Sequence, residues 1–142
     1  MVQTQHGRVD LAAALERIGA EARAAVEGGA TILILSDRAV LTDASLLPIP
    51  ALLAVGAVHH GLHAAGLRQR CGLVVESGEP REVMHFALLV GYGAGAVCPY
   101  LALDVVDRLA AEGEIELPAA EARKRYVKAV EKGLLKVLSK MG

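Results

Sequence analysis

Aromatic residues are scarce: 3% of 142 residues, with no tryptophan, one phenylalanine and three tyrosines. Single-stranded nucleic acid is gripped by stacking on aromatic platforms, and phosphates are gripped by surplus positive charge. With 15 Lys and Arg against 16 Asp and Glu, the net charge is −1, which excludes a general electrostatic hold on nucleic acid. Cys71 and Cys98 are the only cysteines, too few for a disulfide scaffold or a four-thiolate zinc site. They read as reduced, buried thiols of a cytoplasmic protein. No run of about twenty apolar residues occurs, so no membrane-spanning helix is expected. Met1-Val-Gln-Thr-Gln-His-Gly7 holds no apolar signal region, and residues 1–8 read as a disordered or expression-derived lead-in.

What the chain does have is apolar aliphatic residue. Hydrophobic residues reach 54% and charged ones 22%, enough for one domain with its own core. Leu11, Leu15, Ile18, Ala22 and Val26 recur at helical spacing, with Asp10 placed as N-cap and Gly28-Gly29 as the stop. Ala30 to Ser36 then runs apolar without alternation, as a strand covered on both faces does. The rhythm returns twice. A helix over Pro50–Ala65 ends at Gly66 and leads to a strand over Cys71–Glu76; a helix over Glu82–Tyr92 ends at Gly93 and leads to a shorter strand over Gly95–Pro99.

This predicts an α/β fold: a small parallel sheet of about three strands with flanking helices, Rossmann-like or part of a barrel. Another helix is expected over Leu103–Ala111. The α/β core then covers residues 9–112, a linker 113–119, and a C-terminal amphipathic helix 120–142 packs on the core. Its apolar stripe is Val127, Val130, Leu134, Val137, Leu138 and Met141. Lys124, Lys128, Lys132, Lys136 and Lys140 step around it in a winding band, which reads as a solvated face.

Parallel sheets bind ligands at the carboxyl ends of their strands. There the pattern collects Asp37, Arg38, Glu76, Arg81 and His85, either as a ligand or interdomain rim or as salt bridges and caps that hold the edge together. No nucleophile–base pair stands out, so no catalytic residue is assigned. His59 and His63, one helical turn apart, are the weak metal candidates. Position 60 is His60, so the glutamate base of a zinc-protease helix is missing. Both fall late in their helix, away from the rim, where interior or interface histidines are the expected reading. Gly91-Tyr-Gly93 and Gly93-Ala-Gly95 follow a helix rather than a strand, unlike phosphate-cradling loops.

Longer words carry a resemblance. Ile32-Leu-Ile-Leu-Ser-Asp-Arg38, Pro48-Ile-Pro-Ala-Leu-Leu-Ala-Val-Gly-Ala-Val-His-His60, Gly72-Leu-Val-Val-Glu-Ser-Gly-Glu-Pro-Arg-Glu82, His85-Phe-Ala-Leu-Leu-Val-Gly-Tyr-Gly-Ala94 and Pro99-Tyr-Leu-Ala-Leu103 occur in that order. They resemble the large subunit of glutamate synthase, in the latter part of its central domain. Tyr126 to Gly142 is similar to the stretch that leads into that family's FMN-binding domain.

The resemblance implies a non-catalytic connecting domain of an oxidoreductase of glutamate biosynthesis and ammonia assimilation. Its partners would be an amidotransferase domain, which frees ammonia from glutamine with an N-terminal cysteine, and an FMN domain with an iron–sulfur cluster. Those cofactors would bind elsewhere, since Cys71 and Cys98 match neither the nucleophile nor the cluster pattern. Two other readings stay open: a free-standing binder of small molecules or anions at the rim, and a homo-oligomer built on exposed apolar surface.

Overall fold

The computed structural model describes residues 2, 3 and 10–141, with the backbone alone at Val2 and Gln3. The lead-in expected over 1–8 therefore falls mostly outside the described residues. In chain order the elements are β1 (Val2–Gln3), α1 (Leu11–Glu27), β2 (Ile32–Ser36), β3 (Leu46–Leu47), α2 (Ala51–Ala64), β4 (Gly72–Glu76), α3 (Val83–Gly91), β5 (Ala96–Cys98), α4 (Tyr100–Ala111) and α5 (Ala119–Leu138).

Helix α1 begins as its sequence dictates: the Asp10 carboxylate accepts from the Ala13 amide at 3.0 Å, satisfying a donor with no partner inside the helix. Helix α4 starts three residues before the expected Leu103, directly after Pro99. A proline flanking the first turn lacks only an N–H that the helix would leave unpaired.

The three-stranded sheet has the order β2-β4-β5, all parallel, as an open layer. Its register aligns Ile34 with Val74 and Val74 with Ala96, so Ser36, Glu76 and Cys98 form one row at the carboxyl edge. β1 and β3 make a separate antiparallel pair.

The expectation of strands covered on both faces is corrected here. Leu33, Leu73 and Val75 are buried, whereas Ile32 is 63% and Ile34 64% exposed. Strand order follows chain order, so crossovers of one hand put α2 and α3 on the same side of the sheet. Helix α1 joins them there by packing on α2. The core of Val26, Leu33, Val55, Val58, Leu62, Leu73, Val75 and Leu89 lies between that helical layer and the sheet. An uninterrupted apolar run signals burial potential, and here half of it is unused.

Helix α5 lies against α3 and α4. Ala122 is buried and Tyr126, Val130, Leu134 and Val137 half-buried, while Val127, Leu138 and Met141 are exposed, so the inward stripe is narrower than the sequence suggested. The Tyr126 hydroxyl donates to the Arg81 carbonyl at 3.2 Å, and the Arg123 guanidinium grips both carboxylate oxygens of Asp107 on α4. All five band lysines are exposed.

At the α3–α5 crossing, a Cβ on Gly133 would lie 2.3 Å from Cγ2 and 3.0 Å from Cγ1 of Val83. Valine is stiff about χ1, so G133A is expected to lower stability by about 1–3 kcal/mol through overpacking. Denaturant midpoints check this, and G133A combined with V83A should recover much of the loss.

Candidate functional site

The residues after β2, β4 and β5 meet at the carboxyl edge of the sheet. Asp37 is their hub. Its carboxylate accepts from the Ser77 hydroxyl at 2.6 Å and from the Gly78 amide at 3.2 Å, and it acts on the neighbouring Tyr100 phenol. Ser77, 1% exposed, accepts in turn from the Glu79 amide at 3.1 Å. A buried hydroxyl needs such partners, because leaving one unpaired costs about 1–3 kcal/mol.

Beside this hub, Glu76 accepts from the Ser36 hydroxyl at 2.6 Å and from the Arg38 guanidinium at 3.0 Å. These contacts, the serine first and the arginine second, hold the Glu76 carboxyl below the usual carboxylate range. The Arg38 guanidinium also sits 5.0 Å from the centre of the Tyr100 ring, within cation–π reach. Burial first, then the neighbouring Asp37 carboxylate, pushes the Tyr100 phenol up to about 12.

Of the five rim residues, Asp37, Arg38 and Glu76 come together; Arg81 and His85 serve the start of α3. The His85 Nδ1 accepts from the Arg81 and Glu82 amides at 3.3 Å, and the Arg81 carbonyl faces Tyr126. Among the described residues no hydrogen bond or ion pair joins Arg81 or His85 to the Asp37 hub. Ser77, Glu79 and Tyr100 were not among the five rim candidates. The need for a cap on α2 was readable, since α2 begins after Pro50, which has no side-chain oxygen; that Glu79 meets it was not. Glu79 supplies one, accepting from the Ala51 amide at 3.1 Å, and a carboxylate there also meets the positive end of the helix dipole.

His59 and His63 lie at the opposite edge. Arg68 reaches across that edge, donating from Nε to the His59 Nδ1 at 3.0 Å, and from its two terminal nitrogens to the Cys71 carbonyl at 2.8 Å and the Gly93 carbonyl at 2.7 Å. One guanidinium thus fastens the end of α2, the start of β4 and the α3–β5 turn. The His59 and His60 rings meet edge to face with centroids 5.3 Å apart, and His63 is exposed. A guanidinium against the imidazole opposes a metal cation at the same ring.

Burial, then the Arg68 charge, then His60 and His63 lower the His59 pKa below its ordinary value. The native state therefore holds His59 neutral. Its stabilising contribution is complete above the unfolded value of about 6.5 and is lost as pH falls from there through the folded pKa. Melting temperature should decline below pH of about 6.5, and H59Q should flatten that decline.

Among the described residues, no group of three or more His, Cys, Asp or Glu is placed to hold a metal ion. Cys71 precedes β4 at the amino edge and Cys98 ends β5 at the carboxyl edge, roughly 16 Å apart along the strand direction. The two thiols therefore do not converge on an iron–sulfur cluster. No helix among the described residues is long and apolar enough to cross a membrane.

The family model of the glutamate synthase central domain matches residues 1–142. The chain belongs to that family. It is 44% identical over 133 residues to the NADPH glutamate synthase large chain of Bacillus subtilis, a match that covers 94% of this chain and 9% of that protein. It is 45% identical over 138 residues to the NADH glutamate synthase of Schizosaccharomyces pombe, covering 96% and 6% respectively. Ferredoxin-dependent glutamate synthase 2 of Synechocystis sp. is 47% identical over 147 residues, covering 93% and 9%. This glutamate synthase central-domain chain thus spans less than a tenth of the length of these relatives.

Proposed function

We propose that these residues serve glutamate synthesis and ammonia assimilation as a non-catalytic connecting element. In this reading they hold an amidotransferase site and an FMN-dependent synthase site in fixed relation. The observation that carries it is the central-domain match along the whole chain. The rim supports it: Asp37, Glu76, Ser36 and Ser77 are hydrogen-bonded to one another's loops, so the edge acts as a brace. Arg68 braces the other edge. Two stitched edges around a packed core give the stiffness that a spacer between reacting centres requires. FMN and the iron–sulfur cluster would be held by other parts of the polypeptide.

The test grafts this chain into the Bacillus subtilis large chain in place of the matching stretch. The graft is expected to couple glutamine hydrolysis to glutamate formation, and D37A within it to release ammonia without matching glutamate. Glutamine turnover or stoichiometric FMN in the purified 142-residue chain would overturn the reading.

A further inference from the structure

Leu33, Ile34, Leu35 and Ser36 all line one groove of about 360 Å³, which has Arg17 and Glu21 of α1 on one side and reaches over the carboxyl end of the sheet to Glu76 and Ser77. Successive strand side chains leave opposite faces of a sheet. A groove touching four in a row therefore reaches the strand's outer edge, where another strand would lie, as well as its carboxyl end.

The backbone agrees. The Thr31 carbonyl and the Asp37 amide both bond β4, and backbone polarity alternates along a strand. The N–H and C=O groups of Leu33 and Leu35 thus face β4, and those of Ile32 and Ile34 point away from it. Among the described residues, β2 pairs with β4 alone. The opposite edge is blunted, since β5 has three residues and stops at Pro99. The β2 edge has no proline, no lysine and no charge along its five residues, none of the devices that guard a permanently solvated edge.

Two features select the occupant. Ile32 and Ile34 also leave the adjoining sheet face bare. Pairing β2 with β2 of a second copy would lengthen the sheet and leave that face uncovered, whereas an α/β unit brings both a strand and a helix. Around the groove three carboxylates, Glu21, Asp37 and Glu76, face two guanidinium groups, Arg17 beside Glu21 and Arg38 beside Glu76, an excess of one negative charge that suits a basic residue at the end of the incoming strand.

We propose that the outer edge of β2 accepts an apolar strand of the longer glutamate synthase polypeptide, ended by Lys or Arg, whose adjoining helix covers Ile32 and Ile34. The identity of that polypeptide rests on the function proposed above; the edge itself rests on geometry.

Residue-resolved hydrogen exchange tests it, comparing the 142-residue chain with the Bacillus subtilis graft. In the chain alone, the Ile32 and Ile34 amides should exchange about 100-fold faster than those of Leu33 and Leu35; in the graft they should become protected to a similar level. I34P removes only an outward N–H, so it should leave the isolated chain folded yet abolish protection of Ile32 in the graft. L33P, which breaks the β4 ladder, should unfold both. Equal exchange of Ile32 and Ile34 in graft and isolated chain would falsify the inference, as would concentration-dependent protection in the chain alone, which would assign the edge to a second copy. Protection in a graft that fails to couple its two half-reactions would sink the proposed function and leave the edge assignment standing.

Discussion

Replacing Gly93 with alanine is expected to be among the most damaging single changes in this chain, lowering stability by about 3–5 kcal/mol. Two costs combine. Gly93 has φ +109°, a region that L side chains rarely adopt, at a cost of order 1–3 kcal/mol. Its added Cβ would also lie 2.1 Å from the His59 Nδ1, the atom that accepts from Arg68. The imidazole must move, and Arg68 then loses an acceptor at the junction of three elements. Gly66 is the internal control: it has φ +69° with nothing within 4 Å of a new Cβ, so G66A carries the backbone cost alone. Urea unfolding should rank G93A well below G66A. Equal losses would show that the His59–Arg68 contact contributes nothing.

Removing the Asp37 carboxylate should come close behind. D37A leaves the buried Ser77 hydroxyl and the Gly78 amide without their shared acceptor and removes the carboxylate beside the Tyr100 phenol, a loss of about 2–4 kcal/mol for a coupled network. A spectroscopic readout separates this from general loosening. With its phenol raised to about 12, Tyr100 is neutral in the native state. Its contribution is fully present below the unfolded value of about 10 and is lost as pH rises through about 12. In D37A the tyrosinate absorbance of Tyr100 should appear at lower pH, and the alkaline unfolding midpoint should fall with it. An unchanged titration would remove Asp37 from any role in setting that phenol.

Much of this architecture is legible in the residues because several local signals agree. Asp10 caps α1, and the apolar runs fall on the strands of a parallel sheet. The failures share one cause, since each depends on which elements meet in space. The apolar run of β2 has the same composition whether one face or both are covered, so the exposure of Ile32 and Ile34 followed from the crossovers rather than from the run. Arg81 and His85 sit close in sequence to the carboxyl edge, yet the α3 start and α5 claim them. Glu79 caps a helix that begins 28 residues earlier, a pairing no local pattern records. At the other edge the histidines were legible as residues but not as a clasp, because Arg68 becomes their neighbour only when α2 ends beside the α3–β5 turn.

Cys98 lies in register with Glu76, and Val97 beside it turns toward the core; alternation therefore puts the Cys98 sulfur on the same side as Ile34. Cys71, by contrast, is buried. The molecule thereby carries its own chemical gauge: the speed at which maleimide alkylates Cys98 reads how completely the bare side is shielded, against a nearly silent second thiol.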